Sequence, residues 1–148
     1  MYLECIDSIK SNLNIVDSSL KVSSIPISED FNYFYDVLFK KLFEKKCLSY
    51  SDKTEIAEEQ MKRFHTISKK EILKLPSYIV FSELDMKNSV KKVIYLSLCY
   101  NNFVLAKVYN VKISKSQVGN TYEKGFLLYL FKFENDKLIH IDIKEIAE

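Results

Sequence analysis

Apolar positions along this chain change their rhythm once. Up to about residue 76 they recur every three or four places, and beyond it they gather into short β-branched and aromatic runs separated by polar residues. In the first part, Leu3, Ile6, Ile9 and Leu13 predict a short helix from Tyr2 to about Leu13. Ser18 to Ile27 is serine-rich and ends in Ile25-Pro26-Ile27, a connector or an edge strand, because proline removes a ladder donor. Ser28 can cap, and Phe31, Phe34, Tyr35, Leu38, Phe39, Leu42 and Phe43 then keep a three-four spacing to about Lys46. One amphipathic helix with an aromatic stripe is expected there, with Lys40, Lys41, Lys45 and Lys46 in its last turns, where the helix dipole favours cations. A second helix is expected from Asp52, with Glu55 as its capping-box partner and Ile56, Ala57, Met61 and Phe64 inward. Ser68 and Glu71 signal a third, short helix that stops before Pro76.

After Pro76 the runs Tyr78 to Phe81, Val90 to Tyr100, Phe103 to Ile113, Tyr122 to Phe133 and Leu138 to Ile143 predict strands. Asn101-Asn102 and Asn135-Asp136 predict tight turns, since both residue types tolerate positive φ. Helices first and an antiparallel meander second is the order of an α+β domain. The expectation is N-terminal helices packed on a curved, cone-like antiparallel sheet, in a single domain over residues 1–148. Residues 1–27 would form an N-terminal helix and connector, 28–76 the helices and 77–148 the sheet.

Strand faces carry a further expectation. Leu127, Tyr129, Phe131 and Phe133 share one face of their strand, and Phe126, Leu128 and Leu130 share the other. In the last strand, isoleucines 139, 141 and 143 share a face, with Leu138, His140 and Asp142 opposite. A strand apolar on both faces needs two covering layers. The helices supply one. A second copy of the chain in a homodimer through the sheet face would supply the other, with Leu128→Glu or Leu130→Glu expected to weaken it; residues 1–27 folded back over the sheet are the internal alternative.

Composition narrows the function. The chain has 148 residues, 47% hydrophobic and 28% charged, with only two glycines and two prolines. Two glycines cannot write a dinucleotide-binding turn, a phosphate loop or a nucleophile elbow, each of which needs glycine at fixed offsets. The 22 basic residues include a single arginine, Arg63, so the planar fork that reads guanine edges is scarce and sequence-specific nucleic-acid binding is not expected. Charge is segregated: residues 1–36 are net acidic, 40–92 net basic and 134–148 net acidic. Such blocks form solvated faces or an electrostatic docking surface. Cys5, Cys47 and Cys99 are odd in number and widely spaced, which fits a reducing compartment. Acids stand where a signal peptide needs bases, and no run reaches a membrane-spanning length, so a cytoplasmic protein without a membrane partner is expected.

Two amphipathic helices and a short third, followed by long strands joined by tight turns, resemble the nuclear-transport-factor-like cone fold. Ser28-Glu29-Asp30-Phe31-Asn32-Tyr33-Phe34-Tyr35 is similar to its first helix and Tyr122 to Ile143 to its closing hairpin, a likeness over residues 28–143. That resemblance implies a superfamily of ketosteroid-isomerase-like enzymes, small-ligand binders, dimeric adaptors and immunity proteins of bacterial toxin systems, and it carries no one member's active site across.

Candidate chemistry is sparse. His140 and Asp142, two apart on one strand face, could form a base with an orienting carboxylate, or simply a polar solvent face. Tyr95 and Tyr109 on long strands, with Tyr129, could line a cone's mouth, or pack the core of a chain that lacks tryptophan. Ser97 and Cys99 share a strand face and could pair with a histidine, while His65 falls towards a helix end. Glu83 and Asp85 form an acidic pair flanked by Lys87, Lys91 and Lys92, read as a hairpin of mixed charge. No metal shell can be assembled and no cofactor is implied. The leading expectation is a small cytoplasmic, non-catalytic protein-binding domain of immunity or adaptor type. The competing one is a small-ligand-binding protein or enzyme using a cone cavity lined by Tyr95, Tyr109, His140 and Asp142.

Overall fold

A computed structural model describes residues 1–15, 20–23, 28–45, 47–71, 92–112, 121–122 and 124–147. The architecture is α+β, with helices before an antiparallel sheet. Helix α1 spans Tyr2–Leu13 and closes on Asn14, which takes a left-handed conformation (φ 50°) so that the backbone beyond returns to Lys10 and Ser11. Its buried stripe runs through Cys5, Ile6 and Ile9. Leu3, expected inward, lies about a quarter-turn round the helix from that stripe and is 53% exposed. Strand β1, Leu20–Ser23, follows. The Ile25-Pro26-Ile27 and Tyr78–Phe81 segments, and the group around Glu83 and Asp85, lie outside the described residues.

The helix expected over 28–46 is broken. Ser28–Phe34 is a 3-10 helix, followed by two single α-turns, α2 Tyr35–Leu38 and α3 Lys40–Phe43, hinged at Phe39 (φ −113°, ψ 20°). The spacing of the buried rings explains the break. Phe34 and Phe39 are five positions apart, roughly 140° round a regular α-helix, and one straight helix could not bury both. Interrupting it brings Phe31, Phe34, Phe39 and Phe43 all inward.

Helix α4, Tyr50–Glu71, joins the second and third expected helices into one. Its capping box is Ser49 with Asp52, three residues before the expected pair. The Asp52 amide donates to Ser49 Oγ at 3.2 Å, and the Ser49 amide and hydroxyl donate to Asp52 Oδ2 at 3.1 and 2.5 Å. These bonds hold the Asp52 carboxyl below its usual pKa. Ala57 and Met61 are fully buried, with Ile56 and Phe64 packed beside them.

The strands are β2 Lys92–Leu96, β3 Phe103–Lys112, β4 Thr121–Tyr122, β5 Phe126–Glu134 and β6 Lys137–Ile146. They lie in the order β1-β2-β3-β5-β6, with β4 pairing the end of β3. All pairings are antiparallel except that of β1, which joins β2 in parallel. Both predicted turns form, with positive φ at Asn101, Asn102, Asn135 and Asp136. Gly125, at φ 84°, sits where an added Cβ would come within 2.8 Å of the Ile146 carbonyl oxygen, so this position needs glycine for both conformation and space.

Both faces of the sheet are covered from within the chain. On one, α1 packs against Ile94, Leu96, Val104, Ala106, Val108, Tyr129, Phe131 and Phe133. On the other, the 28–64 helices pack against Leu105, Phe126, Leu128 and Leu130. The face expected to meet a second copy therefore carries α1, the internal alternative. Leu128 and Leu130, the positions chosen to test a sheet-face dimer, are fully buried on the opposite side, beneath the helices. A bulge between Lys132 and Phe133 also moves Leu138, which packs with Ile141 on the α1 side instead of sharing a face with His140 and Asp142.

Candidate functional site

The four residues expected at a site fall into two separate pairs. Tyr95 on β2 and Tyr109 on β3 meet edge to face, ring centroids 5.8 Å apart, and Tyr109 continues to Phe126 at 5.4 Å. His140 and Asp142 are neighbours on one face of β6, with Nε2 and Oδ1 3.2 Å apart and side chains 60% and 33% exposed. Tyr109 lies level with Phe126, whereas Asp142 pairs with Leu130, one strand further over and four residues along. That offset is roughly 15 Å from strand spacing and rise alone, too far for one small ligand's polar contacts.

What gathers around the tyrosine pair is an unexpected cation. Lys107 alternates on β3 with Phe103, Leu105 and Tyr109, so the two-residue period drives it into the helix-covered face. Its ammonium lies 3.8 Å from the Phe126 ring centroid and 5.2 Å from that of Tyr109, and 3.2 Å from Asp30 Oδ2. Burial alone would lower the Lys107 pKa. Hydrogen bonding to Tyr109 and Asp30, with the Asp30 charge, outweighs it and holds the pKa above its ordinary value. Lys107 therefore stays charged and fastens the 3-10 helix to the sheet. A lysine in an apolar alternation was the signal for it; nothing local pointed to Asp30 as its partner.

Ser97 and Cys99 do not form a nucleophilic site. Ser97 is fully buried, its Oγ donates to the Leu98 carbonyl at 2.8 Å, and it accepts the Leu105 amide at 2.9 Å, which carries the β2–β3 ladder past the strand end. Cys99 lies at the surface, but lost hydration, opposed by an Asn102 backbone bond and reinforced by Asp136, holds its thiol pKa above the ordinary value. That is the reverse of an activated thiolate. His65 lies within α4 beside Phe64, ring centroids 6.4 Å apart. Among the described residues no group of three or more His, Cys, Asp or Glu could hold a metal ion, and no helix is long and apolar enough to cross a membrane.

A concavity of about 400 Å³ opens between the 28–43 segment and the start of α4. Tyr33, Tyr35, Tyr50 and Phe43 form its aromatic wall, and Asp36, Lys53, Glu58 and Lys144 its polar rim. Tyr50 is 84% exposed at the helix entrance. Lys53 lies over the Phe43 ring at 5.6 Å, and Lys144 over the Phe34 ring at 4.9 Å while donating to the Tyr33 carbonyl. Lost hydration, with the nearby Glu58 charge, raises the Tyr35 pKa, so its hydroxyl remains a neutral donor. The aromatic spacing of 31–43 was read as core alone; the residues between its buried rings build this groove. No family model, curated protein or solved structure matches the chain.

Proposed function

We propose that the protein is a small, non-catalytic protein-binding domain of the immunity or adaptor type, acting in the cytoplasm. The observation that carries this reading is the tyrosine-walled groove beside α4. Tyrosine supplies large contact area at low entropic cost and is enriched at binding hot spots, where a neutral hydroxyl adds a directed bond. Tyr50 and Tyr33 stand exposed at 84% and 38%, and neither belongs to the buried core clusters, Tyr33 resting edge-on against Phe126 at 6.3 Å. The packing beneath also supports a surface reading, because Phe31, Phe34, Phe39, Phe43 and Met61 occupy the helix–sheet interface where a cone cavity would lie. The order of helices before a meander supports the nuclear-transport-factor-like resemblance, which is part of this proposal.

The test is affinity capture from the native organism's lysate with the wild-type chain and with Tyr33→Ala/Tyr50→Ala, read by quantitative mass spectrometry. One protein enriched by the wild type and lost from the variant, at equal melting temperature, is the expected result. Equal recovery by both chains, or no protein recovered while a metabolite raises the melting temperature, would overturn it.

A further inference from the structure

Away from the tyrosine groove, the α1 side of the sheet carries another concavity. The strand registers place its residues on one face: Lys92 lies level with Asn110, and Val108, Leu127 and Glu145 form a row across β3, β5 and β6. Helix α1 covers the middle of that face, through Ile94, Ala106 and Tyr129, and leaves Asn110 and Glu145 exposed beyond it. At that end Gly125 runs too close to the Ile146 carbonyl for any Cβ, which sets Lys124 on the rim. The cavity so formed measures about 320 Å³, the size of a small-molecule site. Its polar groups are of both signs. Lys92 donates to Asn110 Oδ1, which leaves that carboxamide its Nδ2 donors to offer. Lys124 and Glu145 line the same cavity yet form no hydrogen bond or ion pair among the described residues.

We propose that this cavity binds a small α-amino acid with an apolar side chain. The proposal is independent of the tyrosine groove and of the protein-binding reading. Charge selects the ligand class. A simple anion would meet the Glu145 carboxylate, and a simple cation would meet the ammonium groups of Lys92 and Lys124; a molecule with both charges close together suits all three. Its carboxylate would accept from Lys124 Nζ and Asn110 Nδ2, and its ammonium would donate to Glu145. Val108 and Leu127, between these ends, offer an apolar floor for the side chain. Asn110 and Glu145 stand two strands and two residues apart, roughly 12 Å between backbones. Their side chains narrow that to a gap that an α-amino acid, with a hydrogen bond at each end, can bridge.

L-leucine is the probe, titrated into isotope-labelled protein and followed through its amide chemical shifts. Saturable shifts at Asn110, Gly125 and Leu127, with millimolar or tighter affinity, are expected. Isocaproate, which lacks the ammonium, and isoamylamine, which lacks the carboxylate, should each bind about tenfold or more weakly. Lys124→Met and Glu145→Gln alter exposed side chains, so both should melt like the wild type while each weakens leucine by about tenfold. The analogues then assign the ends: Lys124→Met should leave isoamylamine binding unchanged, and Glu145→Gln should leave isocaproate binding unchanged. No saturable shift overturns the proposal, as does leucine binding no tighter than either analogue, or binding indifferent to both variants. Loss of leucine binding in Tyr33→Ala/Tyr50→Ala would place the ligand in the groove and overturn it equally.

Discussion

The two faces of the sheet are buried by opposite routes. On the α1 side a regular helix with a left-handed Asn14 cap lays Cys5, Ile6 and Ile9 on a mixed surface of aliphatic residues and the rings of Tyr129, Phe131 and Phe133, and a polar link, Tyr129 Oη to Asn12 Oδ1 at 2.9 Å, joins the layers. On the other side four phenylalanines enter from a segment that gives up regular helix to bury them, and a cation with its carboxylate is partly buried beside them, against the rings of Phe126 and Tyr109. In the first case secondary structure dictates the packing. In the second, packing dictates the secondary structure, because aromatic residues are only moderate helix formers while each buries a large area. The aromatic face should therefore dominate the stability of the fold, and the α1 face should be its separable layer.

The largest test strikes the aromatic face. Phe31 is fully buried and touches Phe64 and Tyr100, with centroids at 5.7 and 6.1 Å, so Phe31→Ala should cost about 3–5 kcal/mol in urea unfolding. A loss below about 1 kcal/mol, well under the range for buried aromatics, would show that the 3-10 segment is not part of the cooperative core. Next comes the cation on the same face. Lys107 and Asp30 are 13% and 19% exposed, so Lys107→Met, which leaves a partly buried carboxylate without its ammonium, should cost about 2–3 kcal/mol. Lys107→Met/Asp30→Leu should recover most of that loss. Failure of the double variant to recover would mean that the pair's net contribution exceeds that of an apolar contact.

Alkali should instead act first on the α1 face. Cys5 is fully buried, and burial pushes its thiol from 9.0 up to about 12. With the folded pKa raised, the folded state holds a proton that the unfolded state loses, so stability is intact below pH 9.0 and falls as pH rises towards 12. The slope approaches about 1.4 kcal/mol per pH unit. Cys99, also raised, adds a smaller loss from the same 9.0, the raised Tyr35, Tyr100 and Tyr129 add theirs above 10.0, and Lys107 above 10.5. Cys5→Ala should lower stability at neutral pH yet remove most of the first part of the alkaline decline, the remainder belonging to Cys99, as read from unfolding midpoints at successive pH values. An unchanged decline would place its origin elsewhere.

Local rules carried much of this fold. Helix α1, the inward residues of α4, both asparagine-bearing turns and the two apolar faces of β5 follow from spacing and turn chemistry alone. The breaks in 28–43 were hidden because Phe34 and Phe39 must be counted against a sheet that the sequence does not display. The cap at Ser49 was missed because Asp52 can serve as either member of a capping box. Tyr95 and Tyr109 were legible as candidates, and so were His140 and Asp142, but strand order alone keeps the two pairs apart. Asp30 and Lys107 are 77 residues apart in sequence, and no local pattern encodes their meeting.

The smallest expected effect sharpens the separable-layer reading. Tyr129 is 1% exposed and its ring stacks on Phe131, 6.0 Å away and 10° from parallel. Tyr129→Phe keeps that ring and removes only the hydroxyl that donates to Asn12. Because Asn12 is exposed, water can take the vacated acceptor site, and the loss should be about 0.5–1.5 kcal/mol without the penalty of a stranded buried group. Asn12→Ala leaves the hydroxyl behind without its acceptor and should cost as much or more, since a donor on a buried ring is costlier to strand than an exposed acceptor. The two changes made together should cost less than their sum, because the second removes a partner already lost. Hydrogen exchange supplies the discriminating measurement. In either variant the amides of α1 should exchange faster while those of β3 and β5 keep their protection, as a separately opening layer requires. If α1 and the central strands lose protection together, the helix is part of one cooperative unit with the aromatic face, and the contrast between the two faces concerns geometry and not stability.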